Sequence, residues 1–241
     1  MMESGVITGD NIRKAFLEAG YEVSEEVCGR LSVYAAGILE KNKVINLTAV
    51  TDPEDFIREH LVDSITATKL EPFRSAKTVC DVGTGAGFPG IVLAAVSPEK
   101  EITLIDSLAK RLNVIKELAE AAGIDNIRLI HARAEDAGRD PALRETFDFV
   151  TARAVARLSV LSELCLPLVR KGGVFAAFKG ASCAEEVREA RRAANILGVQ
   201  KIDIQDAGVT DKKHSFAVMK KTGKTPEKYP RKAGTPSRKP L

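Results

Sequence analysis

Between residues 77 and 220, short β-rich runs alternate with helical stretches, a pattern that predicts a parallel sheet covered on both faces. Strands are predicted at 78–82, 102–105, 127–131, 147–151, 174–178, 201–205 and 215–220. Helices at about 90–97, 108–122, 158–169 and 182–197 lie between most of them. Strands joined through helices need right-handed crossovers, which build a doubly wound α/β sheet. The last two strands are separated only by residues 206–214, and so short a connection predicts an antiparallel hairpin at a sheet edge. Residues 8–70 read as helical. Ser24 precedes Glu25 and Glu26 as a helix cap with acids in the first turn, and Leu31, Tyr34, Ala35, Ile38 and Leu39 recur at helical spacing. Asp52-Pro53 opens a further helix that reaches to about Leu70.

The first strand runs into Gly83-Thr84-Gly85-Ala86-Gly87-Phe88-Pro89-Gly90. Alternate glycines let a backbone adopt positive φ and pass close to a ligand, and a glycine-rich turn after the first strand is where doubly wound sheets hold nucleotides. Gly85, Gly87 and Gly90 make a literal G-x-G-x-x-G, the dinucleotide signature, but the strand already ends at Gly83. The leading triplet Gly83-x-Gly85-x-Gly87, with Asp81 ahead of it, is the form associated with S-adenosylmethionine. Asp106 closes the second strand, where an acid accepts hydrogen bonds from ribose hydroxyls of either cofactor. A terminal hairpin and a missing second nucleotide half favour adenosylmethionine over NAD. After the third strand, the Ala134 backbone and the Glu135 carboxylate are placed to meet an adenine edge. After the fourth comes Arg153, at the strand end where substrate chemistry sits in such folds.

Several chemistries are not encoded. The D/N-P-P-Y/F motif of exocyclic-amine methylation is absent, and no cysteine stands at 151–157, directly after the fourth strand, as carbon-5 methylation of a pyrimidine requires. Cys28, Cys80, Cys165 and Cys183 are scattered without a C-x-x-C pair, so neither a metal site nor a disulfide framework is expected, and the pattern fits a reducing cytoplasm. No secretory signal and no membrane span are read from the sequence. Histidines 60 and 131 read as packed or surface side chains, whereas Asn46 and Thr48 read as substrate-side groups or as part of a capping turn. Residues 219–241 carry eight Lys/Arg against one acid, a net +7, in a chain whose total is +3. So basic and proline-rich an end cannot fold alone and is expected to be solvated or to meet an anionic partner.

These segments form an ordered set. DVGTGAGFPG at 81–90, LIDSLAKR at 104–111, ARAED at 132–136, TARAVARLSVLSELCLPL at 151–168, NLTAV at 46–50 and REHLVDS at 58–64 together resemble the 16S ribosomal RNA guanine methyltransferase family RsmG, also called glucose-inhibited division protein B. The likeness extends over about residues 24–240 and includes KYPRKAGTP in the tail. It implies a Rossmann-like class I methyltransferase with a seven-stranded doubly wound sheet, a C-terminal antiparallel hairpin and an N-terminal helical extension. The expected division is 1–76 helical extension, 77–220 cofactor-binding domain and 221–241 basic tail. By resemblance, Gly83, Phe88, Ala134, Glu135 and Arg153 contact adenosylmethionine, joining Gly85 and Asp106 from the reading of the loop. The implied reaction is transfer of a methyl group to nitrogen-7 of a guanine in 16S ribosomal RNA or the small subunit, in the cytoplasm, without a metal. No catalytic residue is assigned. Another RNA or a small molecule is the alternative acceptor.

Overall fold

The computed structural model describes residues 6–208 and 214–241. Residues 1–5 of the expected helical extension, and the centre of the connection predicted at 206–214, lie outside the described residues. Ahead of the sheet come α1 (Gly9–Glu18) and α2 (Glu25–Asn42). Ser24 caps α2 by accepting the Val27 N–H, satisfying one of the donors that a helix start leaves open. Asp52 likewise accepts from Glu54 and Asp55 to start α3 (Pro53–Phe56). The helix expected to continue regularly to Leu70 does not. It widens into a π-helical turn at Ile57–Val62, resumes as α4 (Asp63–Ile65), and tightens into a 3-10 turn at Thr66–Lys69 before α5 (Glu71–Ser75). The Glu59 carbonyl in the widened turn accepts from Arg153 Nη1 at 2.6 Å, a long-range partner that local periodicity does not reveal.

The sheet contains β1 (Thr78–Val82), β2 (Glu101–Asp106), β3 (Ile127–His131), β4 (Phe147–Arg153), β5 (Val169–Lys179), β6 (Ile202–Asp206) and β7 (Ser215–Lys220) in the order β3-β2-β1-β4-β5-β7-β6. All pairs are parallel except β5–β7 and β6–β7, so the predicted edge hairpin is present. The crossovers carry α6 (Gly90–Val96), α7 (Ala109–Ala122), α8 (Ala134–Ala137), α9 (Leu158–Cys165) and α10 (Cys183–Ile196). Strand β5 starts earlier than the apolar run suggests, because Gly172 and Gly173 pass through a register shift against β4 instead of ending the strand. A side chain at Gly173 would sit 2.7 Å from the Asp148 carbonyl oxygen.

Alternation along the strands divides the core. Val79, Ile102, Leu104 and Phe149 face one side, where Ile12, Phe16, Leu31, Tyr34 and Ile38 of α1 and α2 are buried with them. Cys80, Val82, Ile105, Val150 and Phe175 face the other, against α9 and α10. The N-terminal helices therefore share a core with the sheet, each large buried side chain contributing roughly 1.5–3 kcal/mol.

The C-terminal segment departs from the solvated tail expected of its composition. Lys221 is fully buried, 2.8 Å from Glu145 and bonded to the carbonyls of Leu166 and Val169. Arg144 donates to the carbonyls of Thr225 and Tyr229, and Tyr229 joins the second core cluster. Arg231 pairs with Glu163, which is 1% exposed, at 2.6 Å. The segment then forms α11 (Thr235–Arg238), with Pro236 buried. Such a segment cannot build a core of its own, but carboxylates and arginines of the body satisfy its backbone. Lys220, Lys224, Lys228, Lys232, Arg238 and Lys239 stay exposed.

Candidate functional site

The chain order reverses between β1 and β4, and doubly wound sheets bind ligands at the carboxyl ends of strands beside such a point. The loop after β1 turns there through Gly83, Gly85 and Gly87 at φ of +73°, +62° and +92°. At Gly87 a Cβ would lie 2.3 Å from Tyr34 Oη, which itself donates to the Ala86 carbonyl at 2.8 Å, so α2 holds the loop from behind. Asp81 holds it from below. Its Oδ2 accepts from Thr84 Oγ1 at 2.7 Å and from the Gly90 N–H at 3.0 Å. Burial raises the Asp81 carboxyl to about 6, against the hydrogen bonds from Thr84 and Gly90 that lower it. Its other oxygen, Oδ1, is buried without a partner. The Phe88–Pro89 peptide is cis, and α6 begins at Gly90, as expected from the sequence.

Around this loop lies a cleft of about 610 Å³, and the structure brings all seven predicted residues to its wall: Gly83, Gly85, Phe88, Asp106, Ala134, Glu135 and Arg153. Asp106, at the end of β2, accepts from the Gly85 N–H and the Leu108 N–H, both at 2.9 Å, with Arg111 at 3.6 Å. Ala134 and Glu135 open α8. The Glu135 carboxylate is buried, and its Oε1 accepts the Gly234 N–H at 2.8 Å. Ser237 of the C-terminal segment also lines the cleft, a contribution that composition did not signal.

Arg153 ends β4 and is tied to the helices before the sheet. Its guanidinium donates to the Glu59 carbonyl, to Asp63 Oδ2 at 3.0 Å and to His60 Nδ1 at 3.0 Å, and it lies over the Phe88 ring. Asp63 Oδ1 in turn meets His214 Nδ1 at 2.9 Å. Burial works to raise the Asp63 carboxyl, but the His214 hydrogen bond and the Arg153 charge prevail and hold it below the usual range. His60 stacks on Phe88 at 5.1 Å. Burial, then the Arg153 cation, push the ring down to about 4. The sequence reads His60 as a packed or surface side chain. The structure instead puts it in the cleft wall beside Thr48, whereas Asn46 is exposed and outside the lining, and His131 is exposed and bonded to the Ser107 carbonyl. The signal was present in NLTAV and REHLVDS, which the fold brings together at the cleft.

The model of the rRNA small subunit methyltransferase G family matches residues 28–215. The chain belongs to that family. A ribosomal RNA small subunit methyltransferase G from Clostridium botulinum (strain Alaska E43 / Type E3) is 45% identical over 234 residues, covering 96% of this chain and 98% of its own length. One from Desulfitobacterium hafniense is 46% identical over 222 residues, covering 91% and 92%. The fold is that of the class I methyltransferases. A SAM-dependent O-methyltransferase from Thermotoga maritima superposes with a TM-score of 0.54 at 14% identity, over 79% of this chain and 73% of that one. A putative O-methyltransferase from Klebsiella pneumoniae gives 0.54 at 16%, over 79% and 90%. In this member of the methyltransferase G family, no helix among the described residues is long and apolar enough to cross a membrane. No His/Cys/Asp/Glu group among them is arranged to hold a metal ion.

Proposed function

We propose that the protein uses S-adenosylmethionine to methylate nitrogen-7 of a guanine in 16S ribosomal RNA. The single observation that carries the choice of atom is that, among the described residues, no group in the cleft is set to remove a proton. His60 is occupied on both ring nitrogens, Asp106 and Glu135 accept backbone N–H groups, and no cysteine lines the wall. All four thiols are buried, and burial raises each of them, so none supplies the thiolate that a covalent pyrimidine adduct needs. Nitrogen-7 of guanine carries a free lone pair and asks for no base. Membership of a family whose named relatives are ribosomal RNA small subunit methyltransferases supports the choice of substrate.

The cleft fits the cofactor. Gly85 stands at positive φ with nothing nearer its missing Cβ than the Gly83 carbonyl oxygen at 4.0 Å, leaving room for a ligand against the backbone. Gly83, Gly85, Phe88, Asp106, Ala134, Glu135 and Arg153 would hold adenosylmethionine, Asp106 at the ribose and Ala134–Glu135 at the adenine. When bound, it supplies an electrophilic methyl group on a sulfonium. The task left to the protein is orientation, which supplies up to roughly 7–11 kcal/mol when reacting atoms are held in line. The test is mass spectrometry of 16S ribosomal RNA from cells with and without the protein, combined with borohydride and aniline cleavage. One cleavage site that depends on the protein is expected. Methyl on an exocyclic amine or on a cytosine would refute the reading.

A further inference from the structure

The hydrogen bonds of Thr48 are decided by its neighbours. Arg153 Nη2 stands 3.0 Å from His60 Nδ1, and because a guanidinium has only donors, Nδ1 accepts. A ring that accepts at Nδ1 is neutral with its proton on Nε2, and Nε2 lies 2.7 Å from Thr48 Oγ1. That proton therefore goes to the threonine. The Val50 N–H also donates to Thr48 Oγ1, at 3.1 Å. Both lone pairs of the hydroxyl oxygen are filled, and what it has left to offer is its own proton. The depressed basicity of His60 agrees with a neutral ring.

The residue is also held in place. Asn42 Oδ1 accepts from the Leu47 and Thr48 N–H groups at 2.7 and 3.0 Å, and Asn42 Nδ2 donates to the Thr48 carbonyl at 2.9 Å. Thr48 is half-buried and lines the cleft with His60, Phe88 and Arg153. A positioned hydroxyl that donates and cannot accept selects for a carbonyl oxygen and against an amino group.

We propose that Thr48 is a specificity-determining residue of the acceptor site, donating its hydroxyl proton to the carbonyl oxygen on carbon-6 of the target guanine. This rests on the guanine nitrogen-7 reading above. That oxygen shares the purine edge with nitrogen-7, so the contact turns the edge toward the methyl donor while leaving the nitrogen lone pair free. Adenine, with an amino group at the same place, presents donor to donor. As nitrogen-7 gains the methyl group the ring becomes cationic and the oxygen a poorer acceptor. The bond is therefore stronger in the bound substrate than at the transition state, and its loss falls on KM.

The test uses small subunits reconstituted with unmodified 16S RNA carrying either guanine or 2-aminopurine at the target position. The analogue keeps nitrogen-7 and lacks the oxygen. Thr48→Val is expected to raise KM for the guanine substrate about tenfold, with kcat changed less than about threefold. With 2-aminopurine the wild type already shows that loss and Thr48→Val adds none. Thr48→Ser restores the guanine KM. Adenosylhomocysteine affinity stays within about twofold throughout, separating this role from a structural one. Equal losses on both substrates, an unchanged guanine KM, or a parallel fall in adenosylhomocysteine affinity overturns the proposal and leaves the guanine reading standing. A product methylated elsewhere than nitrogen-7 overturns both.

Discussion

The N–H of Gly234 donates to Glu135 Oε1 at 2.8 Å, so a residue near the C-terminus and a residue in the cleft wall share one hydrogen bond. With Ser237 also on that wall, the C-terminal segment closes the end of the cleft assigned to the adenine. Deleting residues 234–241 keeps the Arg231–Glu163 pair and removes this closure. Calorimetry with adenosylhomocysteine should show affinity falling at least about tenfold, in line with the ~1.5–3 kcal/mol of a hydrogen bond to a charged group. Affinity equal to that of the full chain would mean that the segment only covers the surface. Deleting residues 222–241 should instead destabilise the fold, because it strands Glu163 as a buried charge at a cost of about 3–5 kcal/mol.

Lys224, Lys228 and Lys232 of the same segment are exposed, with Lys228 lying over the Tyr229 ring. Replacing Lys224, Lys228 and Lys232 with alanine leaves the bonds to Glu135 and Glu163 intact. If all three meet phosphates, the log–log salt slope of RNA binding should fall by roughly 2–3 units with cofactor affinity unchanged. An identical slope would show that these side chains face only solvent.

Arg153 joins β4 to the π-helical turn through Glu59 and His60 and to α4 through Asp63. Arg153→Ala should cut methyl transfer at least a hundredfold while denaturant unfolding remains cooperative. Arg153→Lys should recover little of it, since an ammonium cannot serve three acceptors lying in the directions of a planar fork. Methyl-transfer assays on the pair that show near-complete rescue by lysine would reduce the residue to a point charge.

His60 sets a pH signature. Its folded value of about 4 lies below the ordinary 6.5, so the unfolded chain takes up the proton first as pH falls. Its stabilising contribution is full above pH 6.5 and is lost between 6.5 and 4. Asp81 acts oppositely. Raised from 3.8 to about 6, it favours the fold below pH 3.8 and loses that contribution as pH rises to 6. The wild-type curve between pH 4 and 6 should therefore be shallow. His60→Gln, followed by urea unfolding across that range, should reveal stability falling as pH rises. Methyl transfer should show no step near pH 6.5–7; a steep one would identify a titrating histidine in the reaction.

The elements that the sequence specified are those governed by short-range chemistry. Strands β1, β3 and β7 begin and end where the short β-rich runs put them, and Ser24 and Asp52 start helices because the cap bonds span two or three residues. The glycine loop was legible because glycine tolerates its positive φ, and Asp106 because it closes the second β-rich run at the carboxyl end of β2. Composition reads the tail as a segment unable to fold by itself and says nothing about docking. Docking depends on Arg144, Glu145 and Glu163 converging from the body to satisfy a backbone that lacks its own partners. The order Thr48–His60–Arg153 is equally invisible in one dimension. Arg153 lies 93 residues from His60, and the tautomer that turns Thr48 into a donor exists only once β4 is packed against the π-helical turn. Local propensity and periodicity determined the elements and the cofactor loop. The direction of each buried hydrogen bond was decided by the tertiary structure, because a donor's partner is set by proximity in space and not along the chain.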